Sequence, residues 1–311
     1  LLNQSNSGAA DPSYSSNSTT SPTPPKRRGL GWGANLLAVA FVFLAILVPF
    51  MFWQQTWFGT ALSDEEIRKN LDPAAKPRKI QHALVQLSQR LTDSGPAAVA
   101  AWYPDVRKLA GHPTPEVRMT VAWLMGQDPT AVEFRDGLTR LLQDDDPLVR
   151  RNAALSLVAF GEASGREEVR GMLASWPVLA PSSGELLFRR SEGDSVSAGA
   201  LVARIQVDAA THEEVRAAVP GYVEELLAEE GTTVSAGQPL VSLAPEEDQV
   251  WEALRALYFI GEVRDLPLIQ PFLSENPMLS DRVRQQAGFT ISAIRGRAGP
   301  AKPGEVPPET P

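Results

Sequence analysis

The sequence predicts an α+β chain: one N-terminal transmembrane helix, then an α-helical solenoid into which an all-β barrel is inserted. Three observations carry this expectation. Ala34–Trp53 is an apolar run with no charged side chain. Pro115-Glu116-Val117-Arg118 recurs as Pro147-Leu148-Val149-Arg150, an offset of 32 residues. Gly193-Asp194-Ser195-Val196-Ser197-Ala198-Gly199 recurs as Gly231-Thr232-Thr233-Val234-Ser235-Ala236-Gly237. A helical period of that length belongs to stacked helix pairs. A doubled turn-and-strand motif belongs to a small β domain made of two similar halves.

Residues 1–33 are rich in Ser, Asn, Thr, Pro and Gly, which predicts a disordered tail. They carry +2 of a chain whose net charge is −8, through Lys26, Arg27 and Arg28 against Asp11. The remaining body is therefore acidic and lacks the basic clusters that nucleic-acid binding needs. The run 34–53 is long enough as a helix to cross the roughly 30 Å bilayer core. Trp32 lies at one end, with Trp53, Trp57 and Phe58 at the other, as in interfacial belts. Basic residues before the run, and Asp64, Glu65 and Glu66 after it, orient the N-terminus to the cytoplasm. Pro49-Phe50-Met51-Phe52-Trp53 offers no small-residue cleavage site, so the segment reads as an uncleaved anchor.

Residues 60–175 read as helical repeats. Ser63 is placed to cap a helix whose first turn is acidic, and Ile80–Leu87 shows helical apolar spacing. The two Pro-x-Val-Arg elements lead into alanine-rich helices ending at Gly126 and Gly161, with Ala122, Ala153 and Ala154 permitting close helix approach. Asp144-Asp145-Asp146 suits a helix N-terminus better than a metal. Residues 176–248 form the barrel: alternating apolar strands are separated by Glu-Gly-Asp and Glu-Gly-Thr turns, with Val196 and Val234 filling its middle. Residues 249–296 resume the helices, with Asp281-Arg282-Val283-Arg284 repeating the Val-Arg element. Residues 297–311 are proline-rich and read as a second disordered tail.

The doubled motif, with its strand openers Ala180-Pro181 and Val219-Pro220-Gly221, resembles the biotinyl/lipoyl domain family, including the lipoyl-like modules of periplasmic membrane-fusion adaptors. The Pro-x-Val-Arg helices resemble HEAT repeats. The whole resembles bacterial membrane-anchored HEAT-repeat proteins with an embedded lipoyl-like barrel. In the cofactor-carrying family, the hairpin joining the halves presents a lysine flanked by methionines. Here that junction is Val207–Glu214, Ala210 stands about where the lysine would be, and no lysine occurs between Lys108 and Lys302. The resemblance therefore implies the fold without biotin or lipoate. Membrane-fusion adaptors insert a long helical hairpin at the same junction, for which this segment has no room.

No catalytic, cofactor-binding or metal-binding residues are assigned. Cysteine is absent, and His82, His112 and His212 are not spaced as ligands. His212 beside Glu213 and Glu214 is the best lone ligand candidate, and a solvated turn histidine is the simpler reading. Glu224-Glu225 and Glu229-Glu230 read as outward strand and turn positions. Arg118, Arg150 and Arg284 read as structural partners of neighbouring helices. Trp102, Tyr103 and Trp123 read as core, unless exposed, in which case they mark a contact surface. The function expected is a non-catalytic scaffold or accessory subunit of a bacterial inner-membrane complex. Its body would be periplasmic and its partners integral membrane subunits, with the bilayer held through 34–53 and no nucleic acid. The alternative is a periplasmic adaptor of a transport or efflux system.

Overall fold

The computed structural model describes residues 61–274 and 279–298. The expected span 34–53, the expected tail 1–33 and residues 299–311 of the expected tail 297–311 lie outside the described residues. Among those described, no helix is long and apolar enough to cross a membrane.

The helices form pairs, each a short first member and a longer second. They are α1 (Asp64–Asn70) with α2 (Pro77–Ser94), α3 (Tyr103–Leu109) with α4 (Pro115–Met125), and α5 (Arg135–Leu141) with α6 (Pro147–Ala159). Then follow α7 (Arg166–Gly171) with α8 (Glu247–Ile260), and α9 (Leu266–Ile269) with α10 (Asp281–Ala298). The whole β domain lies between the two members of the α7–α8 pair. Ser63 caps α1 and Glu66 reciprocates, completing a capping box. Proline opens α2, α4 and α6, where its missing N–H is one that a helix start leaves unpaired anyway. The last helix runs through Ala298, so Arg297 and Ala298 belong to it and not to the tail. Arg297 donates to the carbonyls of Tyr258 (2.5 Å) and Gly261 (2.9 Å), tying the end of α10 to the end of α8.

The repeated arginine has one job twice. Arg118 donates to the carbonyls of His112 (2.8 Å) and Pro113 (3.1 Å), six and five residues back. Arg150 does the same to Asp144 (2.7 Å) and Asp145 (3.1 Å). Each guanidinium thus braces the turn leading into its own helix. It then reaches onward to the next repeat: Arg118 forms a two-pronged ion pair with Asp144 (both 2.7 Å), and Arg150 reaches Glu168 (3.2 Å). Arg284, at the equivalent place, pairs with Asp281. In the acidic triplet, Asp146 caps α6 through the amides of Leu148 and Val149, while Asp144 is the acceptor for Arg118.

The longer helices stack side by side, and hydroxyls register them. Ser156 donates to the Ala122 carbonyl (2.8 Å) and Thr290 to the Leu254 carbonyl (2.8 Å). A Cβ on Gly126 would lie 2.6 Å from that of Ser156, so α4 and α6 approach this closely only with glycine there.

The β domain is two four-stranded antiparallel sheets, ordered β1-β8-β6-β3 and β5-β4-β2-β7. The strands are β1 (Trp176–Leu179), β2 (Gly184–Phe188), β3 (Ser195–Val196), β4 (Leu201–Gln206), β5 (His212–Arg216), β6 (Gly221–Leu226), β7 (Thr233–Val234) and β8 (Pro239–Ala244). The doubled motif interlocks the halves. Gly193 donates to the Val223 carbonyl and Gly231 to the Leu186 carbonyl (2.8 Å each). Gly199 donates to Ala217 (2.7 Å) and Gly237 to Ala180 (2.8 Å). All four glycines have φ between 77° and 86°, the left-handed region that side chains disfavour. Val196 and Val234 are buried in a core that also holds Leu186, Ile205, Val223 and Leu243.

The domain core is its own, whereas the solenoid core crosses the insertion. Val169, Met172 and Leu173, before the β domain, pack with Val250, Leu254 and Leu257 after it. Buried Arg151 of α6 donates to Gln249 Oε1, and Gln249 Nε2 donates to the Met172 carbonyl (2.7 Å each). The Arg151 guanidinium also lies 5.3 Å from the centre of the Trp176 ring. Burial lowers its pKa, with Glu168 opposing, and an arginine remains charged regardless. A second tie follows: Arg166 pairs with Glu262, and Arg170 with fully buried Asp265 (3.1 Å).

Arg118→Ala should destabilise the solenoid by about 2 kcal/mol in urea unfolding, within the range for hydrogen bonds to a charged group in a partly buried pair. Burial pushes the Asp144 carboxyl up, but the Arg118 hydrogen bond, the Asp146 amide and the charges of Arg118 and Arg150 together outweigh it, so the net shift is downward. The pair's contribution is therefore present above the ordinary aspartate value of about 3.9 and lost as pH falls through the lower folded value. The gap between wild type and variant should close in that acidic window.

Candidate docking face

The polar residues singled out from the sequence do not converge into a chemical site. His112 is buried and its Nδ1 accepts from the Thr114 amide (3.0 Å), a turn-fixing role. His82 is exposed on α2, and His212 is exposed at the start of β5. Glu214 pairs with Arg216 and Arg204, which hold its carboxyl below the usual range. Glu224 accepts from Ser242 (2.9 Å) on the sheet surface, and Glu225, Glu229 and Glu230 are exposed. Among the described residues, no group of three or more His, Cys, Asp or Glu is arranged to hold a metal.

The hairpin joining the barrel halves is short. Gln206 faces His212 across β4 and β5, and Val207 donates to the Thr211 carbonyl, which leaves Val207–Thr211 as the tip. Asp208 organises it by accepting from the amides of Ala210 and Thr211 (2.9 Å each). The tip offers no amine for an amide link, so the residues present do not fit biotin or lipoate.

The aromatic candidates divide. Trp102 and Tyr103 are core: the Tyr103 ring packs tilted against Phe134, with centroids 4.6 Å apart, and its hydroxyl donates to buried Asp128 (2.5 Å). Trp123 is 43% exposed on the outer side of α4, so it is a surface aromatic and not a core one. The buried stripe of that helix is Val117, Val121, Leu124 and Met125, and Trp123 falls off it. Across the neighbouring longer helices lie Tyr258 and Phe259 (39% and 64% exposed) and Phe289 (54%).

These side chains line two adjoining cavities, which together make an aromatic trough. A cavity of about 740 Å³ opens along α4, α6 and α8, with Trp123, Leu155, Ser156, Glu252, Arg255 and Phe259 among its walls. A second, of about 560 Å³, continues between α8 and α10 past Tyr258 and Phe289, and the two share Arg255 and Phe259. Desolvation pushes the Glu252 carboxyl up, and Arg255 opposes that shift. Apolar rings with one acid and one base are a protein-docking chemistry. Sequence reasoning singled out Trp123 but missed Tyr258, Phe259 and Phe289. The available signal was that the pair 258–259 lies beyond the buried stripe set by Val250, Ala253, Leu254 and Leu257.

A model of HEAT repeats matches residues 103–178, and a model described as biotin-requiring enzyme matches residues 169–243. The chain combines HEAT repeats with a biotinyl/lipoyl-type domain. No curated protein matches it. The HEAT match covers helix pairs α3–α4 and α5–α6 and runs through α7 into β1, and the second match spans the whole strand set up to Leu243. The two matches overlap at 169–178, where the chain passes from the helices into the strands.

The exposed aromatics should be dispensable for folding. Phe259→Asp is expected to change stability by no more than about 0.5 kcal/mol. Phe134→Ala, in the core, should cost about 3–5 kcal/mol. Urea unfolding of the two variants checks the contrast.

Proposed function

We propose that this protein is a non-catalytic, membrane-anchored scaffold or accessory subunit of a bacterial inner-membrane complex, with its body on the periplasmic side. The observation that carries this reading is the aromatic trough. Trp123, Phe259 and Phe289 lie exposed on α4, α8 and α10, whose cores do not need them. Solenoids hold such rows on a rigid frame, so a docking partner orders few side chains on binding. The anchor rests on the uncharged run 34–53 preceded by Lys26-Arg27-Arg28. The partners in this reading are integral membrane subunits. The biotinyl/lipoyl-type domain serves as a rigid projection, since its tip has no lysine to modify. The transport-adaptor reading is less well supported, because a five-residue tip stands where such an adaptor inserts a helical hairpin.

Purification of the tagged full chain from native membranes in mild detergent tests this. Stoichiometric recovery of integral membrane subunits is expected, and Phe259→Asp should reduce it by about tenfold or more. Recovery of the wild-type chain alone would contradict the reading, and recovery with a pump and an outer-membrane channel would favour the adaptor.

A further inference from the structure

Helix α8 carries an acid and a base that the chain itself leaves unmatched. Glu252 and Arg255 both line the trough, one turn apart on α8 and about 4.5 Å along its axis. Glu252 feels the Arg255 charge. Among the described residues, however, neither closes an ion pair or a hydrogen bond. The Arg255 guanidinium rests 4.5 Å from the centre of the Trp251 ring. Arg282 stacks on the same ring at 4.6 Å, and it is already matched by Glu247 and Asp248. The rings stand beside this pair of charges. Phe259 lines both cavities, so it is a knob between two hollows, and Tyr258 meets it edge-on at 5.0 Å.

We propose that the trough is a self-pairing face, through which two copies of this chain meet with their α8 helices antiparallel. The proposal rests on the docking reading of that face and names a second copy as its occupant. Charge sets the orientation. A two-fold axis in the plane of the face, crossing α8 between residues 252 and 255, brings each Glu252 against the partner's Arg255. Both unmatched charges are then matched, at two equivalent contacts. With the helices parallel, like would face like and repel. Desolvation in the trough raises the Glu252 carboxyl, so a cation brought to it there is worth more than at an open surface.

Shape and area agree with charge. A face that pairs with itself needs a projection and a hollow that exchange across the axis. Phe259, 64% exposed, is the projection. The cavities of about 740 and 560 Å³ beside it lie in the size range that admits small aromatic groups. Trp123, Tyr258, Phe259 and Phe289 are each roughly half exposed. Such side chains bury about 150–250 Å² when covered, so covering these four removes about 400 Å² per copy. A dimer of standard size needs about 800 Å² from each partner. The rings supply half of that, and Leu155, Gln286 and Ser292 share the same walls with the two charges.

Sedimentation equilibrium of the full chain in mild detergent tests this, with charge reversals measured beside the wild type. The wild type should dimerise with a dissociation constant of about 1 μM or below, the weak end for an interface of standard size. Glu252→Arg sets two cations together at both contacts, and Arg255→Glu sets two carboxylates together. Each should weaken pairing at least about tenfold. Mixing the two variants, differently tagged, restores opposite charges at both contacts. The mixed pair should form within about threefold of the wild-type affinity while neither variant pairs with itself. Damage to the monomer would not be repaired by mixing. A wild type still monomeric at about 100 μM, single variants that pair as the wild type does, or a mixture that fails to pair would each overturn the proposal. Membrane subunits recovered with a monomeric wild-type chain would remove the self-pairing and leave the docking reading standing. A dimer recovered without them would keep the self-pairing and contradict the membrane-subunit reading.

Discussion

Arg151, Gln249 and Met172 form a three-part link on which the rest of the architecture depends. The guanidinium of α6 holds the Gln249 side chain, and that side chain holds the Met172 carbonyl, so residues 77 positions apart in sequence are fastened side by side. The chain leaves the solenoid and returns to it at one place. An insertion whose ends meet this closely adds little strain to its host, and loop closure costs only slowly more as the insert lengthens. The ion pairs from α7 to the segment after α8, Arg166–Glu262 and Arg170–Asp265, repeat the fastening one step on. Helices on either side of the β domain can therefore form one core.

That constraint leaves the β domain free to fold on its own terms. Its two halves grip each other through paired glycine amides, and its buried residues form a separate cluster. What the fold needs is concentrated there: positive-φ glycines, the central valines and the alternating strands. What cofactor chemistry would need sits on the tip, where the fold demands nothing beyond a turn, and there Asp208 and Ala210 stand. Architecture and chemistry are separable in such a domain, and this chain keeps the architecture.

The sequence made legible whatever repeats. The 32-residue offset marked two equivalent arginines, and the structure gives both the same turn-bracing bonds. The doubled glycine motif marked the two halves of the β domain. Less legible were features that depend on what lies across the interface. Arg151 looks like any helical arginine until Gln249, distant in sequence, comes beside it. The partner of α7 is hidden because the strands separate it from α8. The exposure of Trp123 and Phe259 depends on helix packing, which a residue type alone does not disclose. The first helix of the last pair was also obscure, because Pro267 and Pro271 divide it into the short α9 and a 3-10 turn.

The central claim is that one solenoid closes across an inserted β domain. Replacing residues 177–244 by a short glycine-asparagine turn, with Trp176 kept, and following amide hydrogen exchange tests it most directly. If the solenoid is continuous, α7, α8 and α10 will keep the protection they have in the full chain, and the shortened protein will unfold in a single transition. If α8 through α10 instead lose protection while α2 through α6 retain theirs, the helices after the insertion depend on the β domain, and the account of a single closed solenoid is wrong.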